Sequence, residues 1–134
     1  MNICIFGESC VGKSTLAAAL RERTGAKIYT GKDYLRLAKN EAEAKELFRK
    51  LLAEENNIIY VTTEKEGLSL LPDHCLRILL TEELDIIKER FSKRMNGHLP
   101  PPVAMMLERN HGIFDNLPHD LHFHGGKWEL DSIL

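Results

Sequence analysis

Residues 7–14 read Gly7-Glu8-Ser9-Cys10-Val11-Gly12-Lys13-Ser14, with Thr15 next: a glycine, four unconstrained residues, then Gly-Lys-Ser. At average residue frequencies this pattern arises by chance in on the order of one chain in a few hundred of this length. Its spacing has a mechanical cause. Glycines let the backbone wrap closely around an anion, so that consecutive N–H groups and the start of the next helix point at it. The expected element is therefore a phosphate-binding loop made by Gly7, Glu8, Ser9, Cys10, Val11, Gly12, Lys13, Ser14 and Thr15. In this reading Lys13 reaches the β- and γ-phosphates of a nucleotide and the Ser14 hydroxyl serves Mg²⁺.

Such a loop constrains the fold because it must sit between a buried strand and a helix. Both flanks comply. Residues 1–6 (MNICIF) form an apolar run that stops at Gly7, and residues 13–23 are Ala- and Leu-rich without a breaker until Gly25. Further along, residues 26–30, 58–62 (IIYVT), 76–80 (LRILL) and 121–124 read as strands. Residues 33–55 read as one helix with Leu47, Phe48, Leu51 and Leu52 as its apolar stripe. Thr81 is the expected N-cap of a helix reaching about Met95, with Leu84, Ile87, Phe91 and Met95 on its buried face. Residues 103–109 give a last helix after Pro100–Pro102. Strands that are continuously apolar and separated by helices imply a parallel sheet covered on both faces.

Composition narrows the partners. The 134 residues carry 18 Lys+Arg against 20 Asp+Glu, a formal charge of −2, which argues against a chain that coats nucleic acid or an anionic membrane. No apolar run approaches the roughly 18 residues of a membrane span, and the N-terminus lacks a signal-peptide pattern, so a cytoplasmic protein is expected. Its three cysteines, Cys4, Cys10 and Cys75, show no CxxC spacing and read as reduced thiols. One domain over residues 1–134 is expected, and nothing in the sequence speaks to oligomeric state.

With these motifs in place the sequence resembles the small P-loop kinases of the adenylate kinase, shikimate kinase and gluconate kinase group. Two further segments carry the resemblance. Residues 29–36, Tyr-Thr-Gly-Lys-Asp-Tyr-Leu-Arg, are similar to the STGDxLR-like element of nucleoside monophosphate kinases if Lys32 is an insertion. Residues 94–100, Arg-Met-Asn-Gly-His-Leu-Pro, look like the lid of gluconate kinases. The resemblance implies a three-layer P-loop NTPase fold, with a five-stranded parallel sheet in the order 2-3-1-4-5 and helices on both faces. It implies ATP and Mg²⁺ as cofactors and phosphoryl transfer to a small acceptor, either a nucleotide or a hydroxyl compound. No NKxD-like guanine element appears late in the chain, which makes ATP the expected nucleotide.

By the same resemblance Thr30 and Arg36 contact the acceptor, the acceptor-binding region is reduced to residues 33–57, and Arg94 contacts ATP phosphates from a lid at about 88–102. Arg90 and Arg94, at the end of a helix ahead of a Gly/Pro-rich hinge, are placed to stabilise the transferring group. Asp33 is the candidate base for an alcohol acceptor. Strand three ends in Val61-Thr62-Thr63-Glu64 without the usual metal-binding Asp, and Glu64 is the candidate substitute. His119, His122 and His124 are close in sequence, but no cysteine completes a ligand set and no metal motif is matched. Alkylation at Cys10, inside the loop, is expected to block nucleotide binding. The short acceptor region, the missing Asp and a compressed C-terminus favour a competing reading: a nucleotide-binding module or slow ATPase that serves a partner.

Overall fold

The computed structural model describes residues 1–134. Its elements are β1 (Ile3–Phe6), α1 (Lys13–Thr24), β2 (Lys27–Thr30), a 3-10 helix (Asp33–Leu37), α2 (Glu41–Glu54), β3 (Ile58–Thr62), α3 (Lys65–Leu68), β4 (Leu76–Thr81), α4 (Leu84–Arg94), α5 (Pro101–Asn110), β5 (Leu121–His124) and α6 (Leu130–Ile133). The sheet runs β2-β3-β1-β4-β5, and every pairing is parallel. This is the order expected from the sequence. With β1 central, all four of its residues and all five of β3 are buried, so both strands lack the polar alternation of a one-sided sheet.

Two apolar clusters flank the sheet. One packs Ile3 and Ile5 of β1 against Leu16, Ala17 and Leu20 of α1, Ile87 of α4, Leu107 of α5 and Ile133 of α6. The other packs Cys4 and Phe6 against Ala44, Phe48 and Leu52 of α2. Phe48 is the hub of this second layer, with ring centroids 5.3, 5.3 and 4.9 Å from Tyr29, Tyr34 and Tyr60.

Three sequence expectations need correction. Residues 33–55 do not form one helix: a 3-10 helix ends at Leu37, and α2 starts anew at Glu41, where the Asn40 side chain accepts from Glu43 N–H at 2.8 Å. That cap satisfies a free amide of the first turn and fixes the break. The face of α2 packed on the sheet is Ala44, Phe48 and Leu52, leaving Leu47 45% exposed. Thr81 is not an N-cap. It is the last residue of β4, paired in register with His124, and α4 begins at Leu84 after Glu83 without a side-chain cap. Met95 lies past the end of α4 and is exposed, because the helix stops at Arg94.

Candidate active site

The loop between β1 and α1 owes its path to backbone conformations that favour glycine. Gly7 has φ +154°, and a Cβ there would stand 2.4 Å from the Leu80 carbonyl oxygen, so β4 leaves no room for any side chain. Gly12 has φ +97° and caps α1 in a left-handed conformation, with open space where a Cβ would be. Between them Cys10 also has a positive φ of 64°. Its side chain is buried in the α1-side core.

Lys13 is buried, and its Nζ donates to the carbonyls of Gly7 (3.0 Å) and Glu8. Burial lowers its pKa to about 8. Cys10 and Glu8 oppose that shift, and the neighbouring Arg94 reinforces it. Lys13, Ser14, Thr15 and Arg94 line one cavity of about 200 Å³, with Thr30, Gly31, Thr62 and Thr63 on its other side. No carboxylate lines it, so two cations face the cavity without an anionic partner on its wall. A second cavity of about 360 Å³ adjoins the loop at Val11, Gly12 and Thr15 and is bounded by Arg90, Arg94, Gly126 and Trp128.

The loop is tied to the rest of the molecule at two points that local sequence could not show. Arg90 of α4 donates to the Cys10 carbonyl at 2.9 Å and pairs with the buried Glu82 carboxylate at 3.4 Å. Glu8, itself buried, accepts from His111 Nδ1 at 3.0 Å and from Gly112 N–H at 3.1 Å, just beyond α5. Neither His111 nor Glu82 carries a motif: His111 meets Glu8 from far along the chain, and Glu82 reaches the loop only through Arg90.

The acceptor candidates divide. Thr30 lies at the end of β2 on the cavity wall, and Gly31 is held there because Tyr60 Oη donates to its carbonyl at 2.9 Å. Asp33 does not line the cavity: one of its oxygens accepts from Thr30 N–H at 2.9 Å and closes the turn after β2. Arg36 is exposed on the 3-10 helix with neither an ion pair nor a cavity contact. Glu64 is exposed and lies 3.9 Å from Lys32 Nζ, outside the cavity. Of the α4 cations, Lys88 pairs with Glu108 and Lys93 with Glu89, whereas Arg90 and Arg94 face the loop and Arg94 alone of these lines the Lys13 cavity. No helix is long and apolar enough to cross a membrane.

The sequence matches no family model and no curated protein. Solved structures do match its shape. An uncharacterised protein from Eubacterium ventriosum superposes with a TM-score of 0.71 at 17% identity, over 99% of this chain and 92% of that one. The YorR protein of Bacillus subtilis, solved with phosphorylated GDP, gives 0.63 at 23% identity over 98% and 91%. Shikimate kinase from Acinetobacter baumannii, solved with shikimate, gives 0.65 at 13% identity over 98% and 87%. Together with the loop sequence and the strand order, these likenesses give the chain the fold of the small P-loop kinases.

Proposed function

We propose that the protein binds a nucleoside triphosphate on the loop at residues 7–15 and transfers its γ-phosphate to a small acceptor. The observation that carries this reading is the convergence of Lys13 and Arg94 on a cavity without carboxylates. Two cations fixed around one space, together with loop amides and a helix start, suit a phosphoryl group whose charge spreads over its oxygens during transfer. Catalysis by such a site is positioning plus electrostatics. In this reading Lys13 and Arg94 touch the transferring group. Arg90, engaged with the Cys10 carbonyl, keeps the loop in shape, and residues 88–102 act as the lid.

The donor set near the phosphates fits Mg²⁺. Ser14, Thr62 and Thr63 supply hydroxyls, and Mg²⁺ keeps most of its waters and takes its remaining ligands from substrate phosphates. Ser14 would hold it, and the ion would neutralise charge on the phosphate oxygens. Nothing in the donor set selects a base. ATP is the expected nucleotide, and since YorR was solved with phosphorylated GDP, guanine nucleotides belong in the same test.

The acceptor follows from what the cavity lacks. An alcohol needs a base to take its proton, whereas an oxygen that is already anionic needs cations to hold it. Asp33 is committed to the Thr30 amide and no other carboxylate stands at the cavity, so the reading favours an acidic acceptor met at the cavity wall by Thr30 and Arg94. Purified protein with Mg·ATP or Mg·GTP should release diphosphate nucleotide in proportion to added nucleoside monophosphate, and Lys13→Ala should not. The same absence of a carboxylate favours a second reading, a nucleotide-binding module with a slow ATPase. Tight nucleotide binding with turnover indifferent to every acceptor would select it.

A further inference from the structure

A third cavity, of about 230 Å³, lies at the β4–β5 edge and has a lining unlike that of the other two. It is walled by Thr81, three histidines (His111, His122, His124) and four carboxylates, without one apolar, Lys or Arg side chain. The hydrogen bonds fix how these rings carry their protons. His124 Nε2 stands 3.1 Å from a Glu83 carboxylate oxygen, which only accepts, so in the neutral ring that nitrogen bears the hydrogen and Nδ1 keeps the lone pair. Thr81 Oγ1, 2.8 Å from that Nδ1, is therefore the donor to it. The same oxygen lies 2.7 Å from His122 Nε2 and accepts from it. Two imidazole nitrogens from alternate residues of β5 thus converge on one small polar atom, and one ring is oriented by a carboxylate from behind.

A carboxylate behind a ring whose other nitrogen faces inward is the arrangement that orients histidine ligands in metal sites. The remaining carboxylates are not equivalent. Glu8 is bonded to His111 and Gly112, Glu82 to Arg90 and the Glu83 amide, and Glu83 to His124, whereas Asp115 has no side-chain partner. Imidazole nitrogen with carboxylate oxygen selects a borderline divalent ion such as zinc over magnesium or calcium.

We infer that His122, His124 and Asp115 bind a divalent transition-metal ion, with Glu83 positioning His124. No three such groups are already gathered at ligand distance, so the ion enters by displacing the Thr81 hydroxyl from between the two rings. His122 gives up its Nε2 hydrogen to Nδ1 by changing tautomer, and Asp115 turns inward to supply the oxygen. Because this site is separate from the Lys13 cavity, it stands or falls independently of the kinase reading.

The test is a zinc titration of the full-length, tag-free, chelator-stripped protein against a chromophoric competitor. One zinc ion per chain is expected. Affinity should fall by about tenfold or more in His122→Ala and in His124→Ala, by a similar factor in Glu83→Gln, and should be unchanged in His74→Ala. His122→Gln and His124→Gln, checked by circular dichroism, separate loss of a ligand from loss of fold. Absence of stoichiometric zinc binding, or an affinity that survives the His122→Ala/His124→Ala pair, overturns the assignment.

Discussion

Arg90 Nη1 donates to the carbonyl oxygen of Cys10 at 2.9 Å, joining the middle of α4 to the phosphate-binding loop. The same guanidinium balances Glu82, whose side chain is only 7% exposed. Hydrogen bonds from charged groups contribute about 1.5–3 kcal/mol, so Arg90→Ala should weaken nucleotide binding by about tenfold or more. It should also lower thermal stability, because Glu82 is left buried without its partner. Adding Glu82→Gln should recover the stability but not the affinity, as melting curves and calorimetric titrations of the single and double variants will show.

Lys13 gives a pH dependence with a defined sign. Its folded pKa, about 8, lies below the ordinary lysine value of 10.5, so the unfolded chain binds more protons between those limits. Its charged form costs the fold on the order of 3 kcal/mol below pH 8, and stability from this group rises as pH climbs from about 8 towards 10.5. Lys13→Met should raise the melting temperature at pH 7 while abolishing nucleotide binding. A bound phosphate favours the ammonium, so nucleotide affinity should fall as pH passes through about 8, with proton uptake on binding. Titrations in buffers of different ionisation enthalpy measure that uptake in the wild type, which should appear as pH passes about 8 and vanish well below it, where Lys13 is already protonated before nucleotide binds.

The Glu8 contact to His111 and Gly112 tests how firmly the loop depends on the chain beyond α5. Glu8→Ala leaves the Gly112 amide without its partner and should cost about 1–3 kcal/mol. Glu8→Gln keeps an oxygen for that amide, and its NH₂ can donate to His111 Nδ1 once the imidazole changes tautomer. Denaturant melts should therefore find Glu8→Gln close to wild type and Glu8→Ala well below it.

Phe48 is fully buried among three tyrosines, so Phe48→Ala should cost about 3–5 kcal/mol. Leu47, its exposed neighbour on α2, should cost well under 1 kcal/mol as Leu47→Ala. Equal losses from the two would contradict the helix phase seen in the structure.

Much of this fold was legible because its signals are local. Gly7 to Ser14 states a loop, and the apolar runs around Ile5, Val61 and Ile78 state buried parallel strands. Where the reading slipped, long-range structure decided. Four apolar residues at 47, 48, 51 and 52 do not fix a helix phase, and it is the packing of Phe48 among three tyrosines that turns Ala44 inward and leaves Leu47 outside. Thr81 looked like a cap because an acidic run follows it, but pairing with β5 carries the strand through that residue. In the site, Lys13 and Arg94 could be nominated from motif and lid, whereas Asp33 could not be seen to close its own turn. The contacts of Glu8 with His111 and of Arg90 with Cys10 span so much sequence that only the folded chain discloses them.

The kinase reading rests most directly on transfer itself. Wild-type protein and Lys13→Ala should be incubated with Mg²⁺, γ-labelled ATP or GTP, and in turn nucleoside monophosphates, sugar acids and polyols, with the label followed into small acid-stable products. The expected result is label in one acidic acceptor, dependent on Lys13. Nucleotide bound tightly by the wild type with no label in any acceptor would contradict it.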